Sequence, residues 1–182
     1  FVQQYYGCLA AMDEQIGRLR AKLKSLQVDQ DTLIWFCADN GPEGNEKAPG
    51  STGGLRGRKR SLYEGGIRVP GIVCWPNNIS AGARSLVPAC TSDCLPTIAA
   101  IVGSELDTER PLDGIDIRRV FNGTWKQRPT PIGFESAGKV AWMDNQFKLV
   151  ATGMKNGAIS NVELYDLDKD SAESRNIVAV HP

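Results

Sequence analysis

The sequence has no long apolar run and no net charge. No stretch of its 182 residues approaches the ~20 consecutive apolar residues that a membrane-spanning helix requires. Lysine plus arginine and aspartate plus glutamate both number 21, so the charge balance does not support binding to nucleic acid or to a membrane surface. We therefore expect no membrane span and no nucleic-acid partner.

The sequence also lacks a CxxC pair, which argues against a zinc knuckle. Its five cysteines are Cys8, Cys37, Cys74, Cys90 and Cys94. Cys37 and Cys74 lie inside apolar runs and are expected to behave as small core residues. Cys90 and Cys94 are either paired with each other or free, and the odd cysteine count leaves the redox compartment open.

An initiating methionine and a signal peptide are absent as well. The sequence opens on Phe1-Val2 in the middle of a helical pattern. We therefore expect it to be a piece of a longer protein, although its length is within the range of one domain.

Apolar residues in the first part of the chain recur at steps of three and four, which is typical of one face of a helix. They are Tyr5, Leu9, Met12, Ile16, Leu19, Leu23 and Leu26. A coiled-coil seam would have the same spacing, but the pattern covers only about three heptads. We therefore expect this helix to pack on the core.

Two apolar runs follow. Residues 32–38, "TLIWFCA", predict a strand buried on both faces, as in a parallel sheet covered by helices. Residues 71–75, "GIVCW", predict a second buried strand, and residues 92–102 predict a helix capped by Ser92 or Asp93. Helix, short connection and buried strand in this order indicate an α/β fold.

The last third predicts a connector, residues 104–128, and then a small antiparallel sheet. The connector's apolar anchors would be Ile115, Ile117 and Val120. The predicted strands are residues 132–135, 139–143, 147–152 and 162–165. Turn signals at Asp144-Asn145 and Asn156-Gly157 separate them.

Asp39, Asn40 and Gly41 come at the end of the first predicted strand. Ligands of open α/β sheets bind outside the carboxyl ends of strands, and a carboxylate with an amide oxygen suits Ca²⁺ or Mg²⁺. Gly41 would let the backbone turn sharply away. The same three residues are ordinary turn chemistry, and on their own they favour a turn.

A glycine-rich basic loop comes next. Its cations are Arg56, Arg58, Lys59 and Arg60, and such a cluster is usually solvated surface. Ser61 and Glu64 have the spacing of a capping box, which predicts a short helix that begins at Ser61 and ends at Gly65-Gly66. The start of that helix, with Lys59 two residues earlier, would attract an anion. A pair of metal ligands beside an anion site would suit an anionic ester.

Four segments in order carry a family resemblance: "YYGCLAAMDEQIGRL", "TLIWFCADNGPEG", "GGLRGRKRSLYEGGIRVPGIVCWP" and "ELYDLDKDSAESRN". Together they resemble the later half of type I sulfatases, of the arylsulfatase and N-acetylgalactosamine-6-sulfatase kind. The resemblance spans nearly the whole chain and is weakest in the connector and the small sheet. The DNG motif paired with G-x-K-x-x-x-Y-E-G-G is its most specific part.

The resemblance implies an alkaline-phosphatase-like α/β sandwich, present here in part, followed by a small C-terminal antiparallel subdomain. Residues 1–128 would belong to the catalytic α/β domain and its connector, and residues 129–182 to the subdomain. Asp39 and Asn40 match two ligands of the divalent cation, usually Ca²⁺, with Mg²⁺ as the alternative. Lys59 matches the lysine that contacts the sulfate.

The sequence departs from the family where the nucleophile is concerned. The family makes a formylglycine from the first residue of a C/S-x-P/A-x-R motif, and this chain has no such motif. The nearest segment, "CLPTI" at Cys94, has Ile98 in place of the arginine. The single histidine is His181, whereas the family places several around its nucleophile. We expect the formylglycine in a missing N-terminal part, and no activity from this chain alone.

The resemblance thus implies a sulfuric ester hydrolase that acts on a sulfated carbohydrate or an aryl sulfate, in the periplasm, the lysosome or outside the cell. One alternative is a phosphoesterase of the same superfamily, because the same metal site and cation would serve a phosphate. Another is a truncated or degenerate homologue without catalysis. An upstream C/S-x-P/A-x-R motif would favour the enzyme.

Overall fold

The computed structural model describes residues 2–107, 109–153 and 159–181. The helices are α1 (Val2–Ser25), α2 (Glu64–Ile67), α3 (Cys94–Val102) and α4 (Arg118–Phe121), with 3₁₀ turns at Thr91–Asp93 and Val178–Val180. The strands are β1 (Ile34–Cys37), β2 (Gly71–Cys74), β3 (Ile132–Ser136), β4 (Lys139–Asp144), β5 (Phe147–Thr152) and β6 (Val162–Asp166). They form a two-stranded sheet, β1-β2, and a four-stranded sheet in the order β3-β4-β5-β6.

The predicted N-terminal helix is confirmed, but the expectation that it packs on the core is wrong within the described residues. Helix α1 contains no buried residue, and Leu9 and Leu19 on its apolar stripe are 40% and 51% exposed. The spacing of apolar side chains shows which face of a helix is apolar, but not what packs against it. The described residues do not cover that face of α1. None of the described helices has the length and apolar content needed to cross a membrane.

Strands β1 and β2 are antiparallel, which corrects the expectation of a parallel pair buried on both faces. Ile34 lies opposite Cys74 and Cys37 lies opposite Gly71. All four residues of β1 are half-buried, including Cys37. A continuous apolar run reports how much of a strand is covered but carries no information on the direction of its neighbour.

The C-terminal sheet is confirmed as a meander of four antiparallel strands. Strand β5 has the predicted bounds, and β3, β4 and β6 each extend one residue further. Asn145, with φ of 52°, makes the turn between β4 and β5, as its turn signal predicts. The second turn signal, Asn156-Gly157, lies outside the described residues.

A hydrophobic cluster within the described chain lies between residues 62–67 and one face of this sheet. Its buried members are Leu62, Ala141, Val150 and Tyr165. Half-buried side chains packed against them are Tyr63, Ile67, Phe134 and Leu167. The C-terminal sheet therefore covers the segment that follows the basic loop.

A buried ion pair ties the start of α3 to the residues before β3. Asp93 was predicted as a cap of this helix, but its carboxylate instead accepts two hydrogen bonds from Arg128, at 2.7 and 2.8 Å. It also accepts the N–H groups of Ile115 and Cys90. Burial alone would raise the pKa of Asp93, but these hydrogen bonds outweigh burial and lower it. Ile117 is 2% exposed, as expected of an anchor.

Candidate functional site

Asp39 and Asn40 lie just beyond the carboxyl end of β1 and make the local bonds of a turn. Asp39 Oδ1 accepts the N–H of Asn40 at 3.0 Å, and Asn40 Nδ2 donates to the carbonyl of Gly41 at 2.9 Å. Asp39 is exposed and Asn40 is half-buried. Asp39 Oδ2 and Asn40 Oδ1 therefore carry no hydrogen bond within the described residues.

Gly41 is required by close packing rather than by an unusual backbone angle. Its N–H donates to the carbonyl of Gly66 at 2.8 Å, and a Cβ atom on Gly41 would lie 1.9 Å from the carbonyl oxygen of Gly65. A side chain at this position would push the end of the basic loop away from the turn. The expectation of a glycine-dependent sharp turn is thus replaced by a glycine-dependent contact between two segments.

The basic loop returns to the same turn through Lys59. The N–H of Lys59 donates to the carbonyl of Pro42 at 3.1 Å, two residues beyond Asn40. Its Nζ lies 3.7 Å from a carboxylate oxygen of Glu43, and its side chain is 38% exposed. The three residues predicted for the site, Asp39, Asn40 and Lys59, are thus carried by two segments that are hydrogen-bonded to each other.

Arg58 is held by backbone carbonyls, which corrects its interpretation as plain solvated surface, whereas Arg60 remains at the surface with its side chain 72% exposed. Arg58 donates to the carbonyls of Glu43 and Gly50, at 3.1 and 3.2 Å. Arg60 forms a hydrogen-bonded ion pair with Glu43. That bond, the N–H of Gly44 and the charges of Arg60 and Lys59 lower the pKa of Glu43 to about 2. The Lys59 side chain differs from the arginines because it makes no hydrogen bond within the described residues.

Arg56 anchors the start of the loop on the C-terminal sheet. Its guanidinium carbon lies 3.7 Å from the ring centre of Tyr63, and it donates to the hydroxyl of Tyr165 at 2.6 Å and to the carbonyl of Glu173 at 3.1 Å. Both tyrosine hydroxyls donate to Glu163. Burial and the hydrogen bond to Glu163 raise the pKa of Tyr63 to about 12, so this hydroxyl remains a donor at neutral pH.

The predicted capping box is wrong. The hydroxyl of Ser61 accepts the N–H of Tyr63 at 3.2 Å, and α2 begins only at Glu64, so Gly65 and Gly66 lie inside the helix. The N–H of Glu64 donates to the carboxylate of Glu173 at 2.6 Å. The anion attracted to this helix start is therefore a side chain of the chain itself.

A buried cluster of three charges, which sequence reasoning missed, surrounds that contact. Lys148 Nζ lies 2.8 Å from Glu64 and 2.9 Å from Glu173, and the three side chains are at most 2% exposed. Burial raises the pKa of Glu173, and the charge of Lys148 and the N–H of Glu64 offset only part of that rise. One signal was present, because Lys148 and Val150 are two apart on β5 and so share its core face.

The oxygens at the turn suit a divalent cation as part of a larger shell. Within residues 2–107, 109–153 and 159–181, no group of three or more histidine, cysteine, aspartate or glutamate side chains is placed to hold a metal ion. Asp39 and Asn40 offer one carboxylate and one amide oxygen, which are ligand types that Ca²⁺ and Mg²⁺ prefer. They would fit as two of the six to eight oxygen ligands that Ca²⁺ takes.

Comparison with known proteins identifies the family. The sulfatase family model matches residues 1–104, a stretch that includes the turn and the whole basic loop. The chain belongs to the sulfatase family. Among curated sulfatases, steryl-sulfatase of Rattus norvegicus is 37% identical over 125 residues, which cover 65% of this chain and 22% of the relative. Arylsulfatase A of Bos taurus is 36% identical over 130 residues, 71% of this chain and 25% of the relative.

Similarity to solved structures extends the match to nearly the full chain. The crystal structure of Ps i-CgsB superposes with a TM-score of 0.84 at 28% identity, covering 99% of this chain and 40% of that one. The structure of BT4656 in complex with D-glucosamine-2-N,6-O-disulfate superposes with a TM-score of 0.66 at 24% identity, over 93% of this chain and 34% of that one, and it supports the fold alone.

These matches confirm both the predicted family and the predicted fold class. The fold is that of sulfatases, an alkaline-phosphatase-like α/β domain, and this chain contains part of it together with the small antiparallel sheet. The chain spans about a quarter or less of the length of the curated sulfatases that it matches. The boundary between residues 1–128 and 129–182 stays a prediction.

Proposed function

We propose that this chain is the later part of a sulfatase that hydrolyses sulfate esters to an alcohol and sulfate. Asp39 and Asn40 would supply two ligands of a divalent cation, Ca²⁺ or alternatively Mg²⁺, and Lys59 would contact the sulfate. The formylglycine nucleophile would lie outside this chain, in keeping with the missing motif. Residues 129–182 would form the C-terminal subdomain.

One observation carries this proposal: the hydrogen bond from the N–H of Lys59 to the carbonyl of Pro42. It joins the cationic loop to the segment that carries Asp39 and Asn40. The oxygens of Asp39 and Asn40 and a lysine whose side chain makes no hydrogen bond in the described chain are therefore carried by adjoining segments. A sulfate ester presents negative oxygens, which Lys59 would contact directly and which a cation held by Asp39 and Asn40 would neutralise.

The residues of this chain would act by position and charge. A bound cation would supply neutralisation of negative charge on the sulfate oxygens. The local hydrogen bonds of Asp39 and Asn40 fix the turn, so both side chains present oxygens without rearrangement. The ammonium of Lys59 would stabilise the charge that develops on the sulfate and on the leaving oxygen as the S–O bond to the alcohol breaks.

The reaction class can be tested with paired substrates. The longer protein that contains this chain, with its nucleophile matured, should hydrolyse 4-nitrophenyl sulfate or a sulfated N-acetylhexosamine with higher kcat/KM than 4-nitrophenyl phosphate. The 182-residue chain alone serves as the negative control and should hydrolyse neither ester. A preference for the phosphate would identify a phosphoesterase. Loss of all turnover in the longer protein would favour the non-catalytic homologue.

The proposed metal ligand has its own test. Asp39→Ala in the longer protein should weaken Ca²⁺ binding more than about tenfold, because even residues that only support a ligand typically change metal affinity 10- to 100-fold. Isothermal titration calorimetry with CaCl₂ measures the change. Asp13→Ala, an equally exposed carboxylate on α1, is the matched control and should leave the affinity unchanged. Equal Ca²⁺ affinity in the Asp39→Ala and Asp13→Ala proteins would remove Asp39 from the site.

A further inference from the structure

The segment that carries Lys59 is held on both flanks by the C-terminal sheet. Arg56, three residues before it, is bonded to Tyr165 on β6. Glu64, five residues after it, is bonded to Lys148 on β5 and, through its N–H, to Glu173. The backbone hydrogen bond and the ion pair of Lys59 go to the turn side, at Pro42 and Glu43.

The two flanks are also hydrogen-bonded to each other, which closes the loop between them. The N–H of Gly65, next to Glu64, donates to the carbonyl of Arg56 at 2.7 Å. The carbonyl of Gly66 accepts the N–H of Gly41 from the turn. A displacement of α2 would therefore reach Lys59 from one side and the Asp39-Asn40 turn from the other.

The buried charge of Lys148 favours one position of α2 against the sheet. Two carboxylates, Glu64 and Glu173, face a single ammonium group, and all three side chains are removed from water. Without Lys148 the two carboxylates would repel each other across the seam between α2 and the sheet. Arg68 approaches Glu64 only at 3.6 Å and is half-exposed, so it does not replace that cation.

We propose that Lys148 is a positioning residue for Lys59: by pairing with Glu64 and Glu173 it fixes α2 against the C-terminal sheet and thereby sets where the Lys59 ammonium stands relative to the Asp39-Asn40 turn. This inference rests on the proposed role of Lys59 at the sulfate. It gives the C-terminal sheet a part in catalysis although Lys148 itself is buried and touches no substrate.

The test compares Lys148→Met and Arg128→Met in the longer protein. Each change removes the cation of a buried ion pair, but Arg128 and its partner Asp93 make no hydrogen bond to residues 56–66 in the described chain. Assays are run on 4-nitrophenyl sulfate at a temperature where thermal melts show each variant folded. Lys148→Met should lower kcat roughly 10- to 100-fold, since small misplacements of a catalytic group have effects of that order. Arg128→Met should leave kcat within about twofold.

A Lys59→Ala background separates a positioning role of Lys148 from general damage to the active site. In a Lys59→Ala protein, Lys148→Met should change kcat less than about twofold, because the group that it positions is already gone. An equal loss in both backgrounds, or an equal loss from Arg128→Met, would overturn the inference. Unchanged kcat in the Lys59→Ala single variant would instead overturn the proposed function, which keeps the two failures distinct.

A milder pair of variants decides the matter if Lys148→Met does not fold. Glu173→Ala removes the acceptor of the Glu64 N–H but leaves the Lys148–Glu64 pair in place. It should lower kcat in the Lys59 protein and not in the Lys59→Ala protein. Glu173→Gln retains one acceptor oxygen, for either the Glu64 N–H or Lys148, and should recover part of kcat. A Glu173→Gln protein as impaired as Glu173→Ala, or an Ala variant with normal kcat, would overturn the inference.

Discussion

Lys59→Ala in the longer protein should lower kcat for an aryl sulfate roughly 10²- to 10³-fold, equivalent to about 3–4 kcal/mol of transition-state stabilisation, with the fold intact. The reason is that a preorganised cation acts where negative charge develops during the reaction. Among the residues that the structure describes, the Lys59 side chain has only a 3.7 Å ion pair to Glu43, so it can turn to a substrate without breaking a hydrogen bond there. Steady-state kinetics on 4-nitrophenyl sulfate, with circular dichroism as the check on folding, measure the effect.

Two variants at the same loop serve as controls for that result. Lys59→Arg should recover only part of kcat, because a planar guanidinium does not replace a compact ammonium at a fixed position. Arg60→Ala should leave kcat within about twofold, since Arg60 is 72% exposed and pairs with Glu43 at the surface. Equal small effects at Lys59 and Arg60 would show that the whole loop is surface and would remove Lys59 from the site.

Arg128→Met should reduce the free energy of unfolding by about 3–5 kcal/mol, because it leaves the Asp93 carboxylate buried without its counterion. Asp93 and Arg128 are 0% and 1% exposed, so water does not replace the lost hydrogen bonds. The measurement is the urea midpoint of the longer protein at neutral pH, with the slope of the transition checked for change.

The matched control for this loss is an exposed pair of the same kind. Arg118 also forms an ion pair with an aspartate, Asp116, at 2.8 Å, but its side chain is 48% exposed. Arg118→Met should shift the midpoint far less, because solvent screens exposed ion pairs. Similar shifts for the two arginines would contradict the assignment of the Arg128 pair as a buried structural tie.

Local patterns were sufficient for the C-terminal sheet and insufficient for the contacts that it makes. Alternation and turn residues predicted its four strands to within one residue, because both depend on neighbours in sequence. Ser61 and Glu64 have the spacing of a capping box, but the box does not form. The Glu64 carboxylate instead pairs with Lys148, 84 residues away in sequence. No local pattern states which distant side chain will approach.

The same limit applies to the candidate site. The position of Asp39 and Asn40 after a strand followed from an apolar run that stops abruptly, and Lys59 was singled out by the family resemblance. That the loop returns to the turn depends on two backbone hydrogen bonds, to Pro42 and from Gly41, which side-chain types do not encode. The antiparallel direction of β2 was missed for the same reason.

The stretch matched by the family model does not include all residues of the buried charge cluster. The model match ends at residue 104, whereas two of the three charges around α2, Lys148 and Glu173, come from beyond it. A chain trimmed to the matched stretch would keep Asp39, Asn40 and Lys59 but would expose Leu62 and leave the Glu64 carboxylate without its lysine. For anyone who excises or recombines sulfatase domains, the safe cutting point therefore lies after Glu173, not at the end of the recognised sequence.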